Sequence, residues 1–184
     1  MAEMLELDRP GGIIIAGLHP ASPLAEAGFA VGDVVLSVDG AEVHSPGEML
    51  FHMGLGHMDG SVVMTRLRDG ELADLTVAMR APPEDPPRDA VTLPKEASLP
   101  ELSLARINPA IIAEMRLPLA AEGVVVTELG ALGGRVGLRV GDILQTVEGQ
   151  DITVPSQAAD ALAKARRGTR VRALRGGTLS LIHI

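Results

Sequence analysis

Short runs of aliphatic and β-branched residues, separated by turn residues, dominate the hydrophobic pattern of this chain. Each run is four to eight residues long, which predicts a β-strand rather than a helix. In the first half of the chain these runs lie at residues 13–16, 34–38, 62–67 and 72–79. Asp39-Gly40 and Asp69-Gly70 stand beside them and favour tight hairpin turns with positive φ. The pattern therefore predicts a mainly β fold.

Two stretches of the first half carry helix-start signals. Ser22 is a favourable N-cap and Gly28 a favourable residue after the last turn, so a short helix is predicted over 23–27. The sequence SPGE at 45–48 is a capping box, in which the serine accepts from the backbone and the glutamate reaches back. It predicts a second helix that ends near residues 54–56.

The two halves of the chain repeat in sequence. AGFAVGDVVLSVDG at 27–40 corresponds to VGLRVGDILQTVEG at 136–149, with matching glycines, aspartate and valine at a constant offset of 109 residues. Upstream, MAEM and GGIII parallel IAEM and EGVVV, and downstream LRDG parallels LRGG. Three matches in the same order predict one folding unit that is used twice.

A proline-rich stretch separates the two copies. Six of the twenty residues at 81–100 are proline, which excludes a helix or an inner strand and favours a semi-stiff spacer. A long surface loop within one domain is the alternative interpretation. We expect a first domain at 1–81, a linker at 82–98 and a second domain at 99–184.

The second copy is longer at its front. Residues 102–107 predict a strand, and Asn108 followed by proline predicts a helix over 109–117. The first copy has no counterpart of 99–110, so we expect it to lack this strand. The segment GALGGRVG at 130–137 is expected to hold a frayed helix or none.

Composition narrows the possible chemistry. The chain of 184 residues contains no Cys, no Trp, no Tyr and two Phe, which excludes disulfides and thiol chemistry and disfavours base-stacking surfaces. The net charge of −8 lies entirely in residues 1–81, while residues 82–184 are balanced. No apolar run approaches the roughly 20 residues of a membrane span, and no signal-peptide pattern opens the sequence.

The G-[IV]-[IV]-[IV] strand, the A-G-x-x-V-G-D-[IV]-[IL] turn, the capped helix and the final hairpin together resemble a bacterial PDZ domain. Two such domains joined by a proline-rich stretch resemble the C-terminal half of the HtrA/Deg trypsin-like serine proteases of the bacterial envelope. The resemblance implies two PDZ-like, partly open β-barrels, mainly β with short helices. It also implies a periplasmic location and an upstream protease domain.

The resemblance further implies that unfolded or C-terminal peptides of protein substrates bind by strand addition. The loop at 101–104 matches the family's carboxylate-binding loop, but Ser103 replaces the family's glycine, and its Cβ is expected to weaken carboxylate binding. The strand at 104–107 and a helix at 156–167 would be the walls of the groove, although an apolar helix stripe often faces a core instead. The expected peptide-binding residues are Leu102, Ser103, Leu104, Ala105, Ile107, Ala158, Ala161, Leu162 and Ala165 in the second domain, and Met49, His52 and Met53 in the first.

We expect the first domain, without the strand equivalent to 99–110, to bind free C-termini poorly. Its open groove edge would be filled by the linker, a terminus or a neighbouring molecule.

We expect no catalysis, metal or cofactor in this chain. No serine stands in a G-x-S-x-G or G-x-S-G-G frame. His52 and His57, with nearby methionines that include Met58, are predicted to line a groove rather than bind metal, because their spacing does not place both on one helix face. The basic run at 166–175 is predicted to complement a helix C-terminus or an acidic surface rather than nucleic acid.

The sequence therefore predicts a non-catalytic, peptide-binding regulatory region of an HtrA/Deg-like protease, without membrane insertion. The alternatives are the PDZ pair of a site-2-type membrane metalloprotease and a stand-alone PDZ scaffold.

Overall fold

A computed structural model describes residues 11–55 and 60–184. The chain divides into two compact units, Met1–Pro82 and Pro83–Ile184. Each unit is built around one antiparallel sheet with short helices beside it, and the predicted fold class, mainly β with short helices, is confirmed. Within residues 11–55 and 60–184, neither sheet closes into a complete barrel. No helix among the described residues has the length and apolarity needed to cross a membrane.

The first unit contains five strands and two helices within its described residues. They are β1 (Ile13–Ile14), α1 (Pro23–Glu26), β2 (Val34–Val38), β3 (Ala41–Glu42), α2 (Pro46–Leu55), β4 (Ser61–Arg68) and β5 (Glu71–Ala78). The strands follow the order β1-β2-β4-β5, and β3 pairs with β2. Val38 of β2 and Met64 of β4 are fully buried, so the core lies at the centre of this sheet.

The local signals in the first unit are confirmed. The Ser22 side chain accepts from the N–H of Leu24 at the start of α1. Asp39 and Gly40 have φ of 47° and 78°, as a tight hairpin turn requires. At the start of α2, Ser45 accepts from the N–H of Glu48 at 3.2 Å. The Glu48 carboxylate reaches back to the N–H of His44 at 2.7 Å, one residue beyond the usual partner.

The second unit has seven strands and two helices. They are β6 (Val91–Thr92), β7 (Ser103–Arg106), α3 (Pro109–Met115), β8 (Val124–Glu128), β9 (Ile143–Val147), β10 (Gln150–Asp151), α4 (Pro155–Ala163), β11 (Arg170–Arg175) and β12 (Thr178–His183). The order is β12-β11-β9-β8-β7-β6, with β10 paired to β9. All pairings are antiparallel.

Two clusters of buried residues cover opposite faces of the second sheet. Leu104 of β7 belongs to the cluster that includes Leu162 of α4. The next residue, Ala105, belongs to the cluster that includes Ile111 of α3. Alternate residues of β7 thus face different helices, as the twofold periodicity of a strand requires.

The structure departs from the sequence predictions at two places in the second unit and decides between two alternatives at a third. Residues 91–92, within the segment predicted as a spacer, form strand β6 and pair with β7. Helix α4 covers Pro155–Ala163, so the prediction of a helix to residue 167 is wrong; the Lys164 backbone leaves the helical region, with φ −96° and ψ 1°. Residues 130–137 form turns without a helix, as one of the two predicted alternatives required.

Candidate functional site

In the second unit, strand β7 and helix α4 pack around one apolar site, which we call the β7–α4 groove. Leu102 and Leu104 lie on the sheet side and Ala158 and Leu162 on the helix side, and all four belong to one cluster of fully buried residues. Ala161 packs against the same cluster. Five of the predicted binding residues are therefore brought together around one apolar site.

Small side chains set the distance between α4 and the sheet. Ala158 is fully buried, and an alanine at that position lets the helix axis approach the strand closely. The start of α4 has Pro155 in its first turn but no side-chain cap at Val154. Gln157 instead accepts from the backbone N–H and the hydroxyl of Thr153, which fixes the entry of the chain.

An extended segment of the same chain occupies the outer edge of β7. Val91 pairs with Leu104 and Thr92 with Ser103, antiparallel to β7. The N–H of Leu93 donates to the carbonyl of Leu102 at 2.9 Å. The Leu93 side chain is 2% exposed and belongs to the cluster of the groove, and β6 contacts α4 as well as β7. The edge that we predicted to receive a peptide thus already carries a strand.

The loop predicted to bind a carboxylate has its backbone donors engaged within the chain. The N–H of Glu101 donates to the carbonyl of Leu93 at 3.1 Å, and the N–H of Leu102 donates to Leu99. The left-handed residue of this loop is Glu101, with φ of 59°, whereas Ser103 lies in an extended strand. A Cβ at Ser103 therefore adds no positive-φ strain, and the reason given for weak carboxylate binding does not hold.

Ser103 contributes a polar contact on the face opposite the groove. Its hydroxyl lies 2.9 Å from the hydroxyl of Thr92 and donates to the carboxylate of Glu128 at 3.1 Å. These contacts join β6, β7 and β8 side by side. Ser103 is thus a cross-strand link and does not line the apolar site.

Three other predicted residues of the second domain lie away from the apolar site. Ala105 and Ile107 pack against α3 on the other face of the sheet, because they alternate with Leu104. Ala165 lies beyond the end of α4 and is buried, and its carbonyl accepts from the hydroxyl of Ser98.

The three predicted residues of the first domain lie on α2. Met49 and Met53 pack against the core of the first unit. His52 is half-buried, and its ring stands edge-on to that of Phe51 at 5.4 Å between centroids. His57 and Met58 lie outside the described residues. Within the described residues, no group of three or more His, Cys, Asp or Glu side chains is placed to hold a metal ion.

Each unit contains one buried Asp–Arg ion pair that the sequence analysis missed. Asp33 is buried and accepts from Arg68 at 2.5 and 2.7 Å and from the N–H of Ala30. Asp142 and Arg175 repeat the arrangement in the second unit at 2.7 Å. The hydrogen bonds from Arg68 hold the pKa of Asp33 below its usual value despite burial. The paired Gly-Asp and Leu-Arg motifs of the repeat were the signal for this link.

A second missed feature anchors the segment that leads into β6. Arg88 pairs with the carboxylates of Glu84 and Glu114, and Arg106 pairs with Asp89 at 2.9 Å. Hydrogen bonds from Arg88, and then from Asn108, lower the pKa of Glu84. The two glutamates in turn raise the pKa of Arg88. We call residues 84–93 the strap.

Asn108 links the strap to α3. Its side-chain oxygen accepts from the N–H of Ile111 at 2.9 Å, which caps the helix as predicted. Its side-chain nitrogen donates to the Glu84 carboxylate at 2.7 Å and to the carbonyl of Pro86 at 2.9 Å. One buried side-chain amide therefore caps α3 and also donates hydrogen bonds to the strap.

Comparison with known proteins places these observations in a family. Residues 3–79 match the PDZ domain family. The chain is 30% identical to a probable periplasmic serine endoprotease DegP-like from Marinomonas sp. (strain MWYL1), over 96% of this chain and 38% of the relative. It is 31% identical to the protein of the same description from Halomonas elongata, again over 96% of this chain and 38% of the relative. The chain thus spans about two-fifths of the length of these curated relatives.

Solved structures with similar regions include PDZ domains of HtrA proteins. A variant of the HtrA-type protease AlgW with a decapeptide matches at 29% identity, with a TM-score of 0.40, over 46% of this chain and 26% of that one. The HtrA3 PDZ domain bound to a phage-derived ligand, FGRWV, matches at 23% identity, with a TM-score of 0.37, over 45% of this chain and 78% of that one. From these matches, residues 3–79 belong to the PDZ domain family, and the chain is similar along nearly its whole length to DegP-like serine endoproteases of the HtrA/Deg type.

Proposed function

We propose that this region captures extended apolar segments and C-termini of unfolded proteins by strand addition to β7, and presents them to a serine protease domain of the same protein. The observation that carries the proposal is the seating of residues 91–93 on the edge of β7. An extended segment lies there with backbone hydrogen bonds on one side and an apolar side chain held between the sheet and α4. This is the geometry of peptide recognition by strand addition.

The occupied groove indicates which peptides fit. The position of Leu93 takes a leucine-sized apolar side chain, since it packs with Leu102, Leu104, Ala158 and Leu162. The position of Thr92 lies beside the Ser103 hydroxyl and suits a small residue that can form a hydrogen bond. The expected ligand is therefore an extended segment with an apolar residue next to a small polar one.

The role of the whole protein follows from its relatives and is part of the proposal. The curated relatives are described as periplasmic serine endoproteases, and this chain aligns with about two-fifths of their length. A peptide-binding region beside a protease would raise the local concentration of substrate, because the second encounter becomes intramolecular. We infer a periplasmic location and a role in protein quality control on the same basis.

Peptide titration followed by NMR tests the proposal. The full chain is titrated with peptides that end in Val-Thr-Leu with a free carboxylate, the same peptide with a C-terminal amide, and a control that ends in Val-Thr-Asp. We expect weak binding, micromolar or weaker, because a short peptide buries little area and loses its own freedom. Shift changes should map to β7 and α4, and the Asp-ended control should produce none. Changes confined to other elements, or equal changes with the Leu- and Asp-ended peptides, would contradict the proposal.

A further inference from the structure

The strap follows the path that strand addition gives to an external peptide. It runs antiparallel to β7, with Val91 opposite Leu104. Successive side chains alternate, so Val91 and Leu93 share the face of Leu104, while Thr92 faces Ser103 on the other side. Leu93, at the end of the strap, is the residue held in the apolar site.

The two ends of the strap are held by different kinds of contact. At its end, the contact is one apolar side chain and the backbone hydrogen bonds around it. At its start, the contacts are polar: Glu84 is exposed, and the Arg88 and Glu114 side chains are 35% and 54% exposed. The buried Asn108 amide and the N–H of Arg106 add hydrogen bonds to this end. Exposed ion pairs of this kind contribute little free energy each. The start of the strap adds no apolar side chain to either core, and Asn108 is the buried group that loses hydrogen bonds when this end detaches.

Residues 91–93 also lack the second neighbouring strand that an inner strand of a sheet has. Strand β6 pairs only with β7 and is the last strand on this side of the sheet among the described residues. Thr92 is exposed and Val91 half-buried, so Leu93 alone is deeply held. A peptide with the same chemistry would replace each contact that the segment gives up.

We propose that the strap is an intramolecular ligand that closes the β7–α4 groove, and that a leucine-ended peptide binds the second unit only when residues 91–93 leave β7. The proposal deepens the proposed function and rests on it for the identity of the competing peptide. A competitor within the chain lowers the apparent affinity by the fraction of molecules whose groove is open. Release of the strap therefore regulates capture by this unit.

A reversible disulfide tests the proposal in a single protein. Thr92 and Ser103 are directly opposed, and their hydroxyl oxygens lie 2.9 Å apart. They flank the hydrogen bond between Leu93 and Leu102, so they form a non-hydrogen-bonded pair, whose spacing suits a disulfide. The chain has no cysteine, so the double variant Thr92→Cys/Ser103→Cys introduces the only two thiols. The probe is a fluorescent hexapeptide with the sequence of residues 88–93, RDAVTL, and a free carboxylate.

The disulfide-closed and the reduced protein should differ at least tenfold in affinity for this probe. The oxidised double variant should bind it at least tenfold more weakly than the same protein after reduction. The single variants Thr92→Cys and Ser103→Cys, in the same oxidising buffer, control for the substitutions themselves. Equal affinity in the oxidised and reduced double variant overturns the proposal.

Asn108→Asp is the opposite variant, which releases the strap. An aspartate retains the oxygen that caps α3 but removes both donated hydrogen bonds, and it places a carboxylate beside Glu84. We expect this variant to bind the probe about tenfold more tightly than the unmodified chain, with the α3 amides still protected. Unchanged affinity with α3 intact counts against the strap as a closing element.

Hydrogen exchange gives a readout that needs no peptide. The amide of Leu93 should exchange at least tenfold faster than that of Val171, which is fully buried in β11, and faster still in Asn108→Asp. Equal exchange at both amides in both proteins would show that the strap opens only on global unfolding, which overturns the proposal. Local opening together with no probe binding in any variant would instead contradict the proposed function.

Discussion

Asp33 and Asp142 occupy equivalent positions in the two units and perform the same structural task. Each carboxylate accepts hydrogen bonds from an arginine at the end of the strand before the final hairpin turn. This arginine is Arg68 of β4, 35 residues after Asp33, and Arg175 of β11, 33 residues after Asp142. The same arginines also donate to Gly28 and Gly137. The Gly-Asp signature of the sequence is therefore a link between distant strands, in addition to a turn.

The ion pair between Asp33 and Arg68 makes the stability of the first unit depend on pH. The pKa of Asp33 is lower in the folded chain, so its contribution is complete above about pH 4 and is lost as the pH falls through the folded pKa. Asp33→Asn should lower the free energy of unfolding by about 1–3 kcal/mol at neutral pH. At acid pH, as the pH falls through the lowered pKa of folded Asp33, the difference should shrink, because Asp33 then becomes neutral like the asparagine. Urea unfolding of the first unit at neutral and at acid pH measures the difference in free energy of unfolding between the two proteins. A difference that does not change with pH would contradict this prediction.

Gly130 and Gly176 offer a matched pair for a prediction about the loop that leads into β7. Both have left-handed backbones, with φ of 57° and 52°. A Cβ on Gly130 would overlap the carbonyl of Pro100 and lie 2.7 Å from the carbonyl carbon of Glu101, whereas a Cβ on Gly176 meets nothing within 4 Å.

Both alanine variants place a Cβ on a left-handed backbone, which costs free energy. Gly130→Ala also displaces the loop at residues 100–101. Gly176→Ala should lower the free energy of unfolding by about 1–2 kcal/mol. Gly130→Ala should lower it by about 2–5 kcal/mol, because backbone must move as well. Thermal unfolding of the second unit compares them, and equal losses would show that the close approach is not maintained in solution.

At the scale of helices and strands, sequence patterns predict some element boundaries and miss others. The helix starts at Ser22, Ser45 and Asn108 were predictable, because each capping side chain acts within a few residues. Strand β6 was not, since two residues in a proline-rich stretch carry no periodicity. Its pairing depends on the free edge of β7, which lies at least ten residues further along the chain.

Helix α4 lacks the side-chain N-cap that α3, the other helix of its unit, possesses, and this predicts a stabilising change. Val154 stands at the N-cap position with an extended backbone and makes no side-chain hydrogen bond to the helix. Val154→Thr keeps the shape and adds an oxygen that can accept from the first turn. We expect it to raise the free energy of unfolding by about 0.5–1 kcal/mol. Val140→Thr, at an exposed position outside the helices, is the control and should leave it unchanged. A loss or no change at Val154 would contradict the capping argument.

At the scale of the whole molecule, the offset of 109 residues predicted most of what the two units share. Strands β2 and β9, at Val34–Val38 and Ile143–Val147, keep that offset in the structure. The candidate groove was only partly predictable. Leu102, Leu104, Ala158 and Leu162 were expected as groove residues from the family resemblance, but the segment that covers them was assigned to a linker. The composition of that segment favours little regular structure, and pairing with the free edge of β7 overrides this local preference.

One measurement tests the central claim, that β7 receives either the strap or a peptide. It is an NMR comparison of nuclear Overhauser contacts to Leu104 in Asn108→Asp, with and without a saturating, isotopically distinct RDAVTL peptide. We predict that the contact between Val91 and Leu104 disappears on saturation and that a contact from the valine of the peptide to Leu104 replaces it. Retention of the Val91 contact at saturation, with the peptide bound elsewhere, would contradict the account.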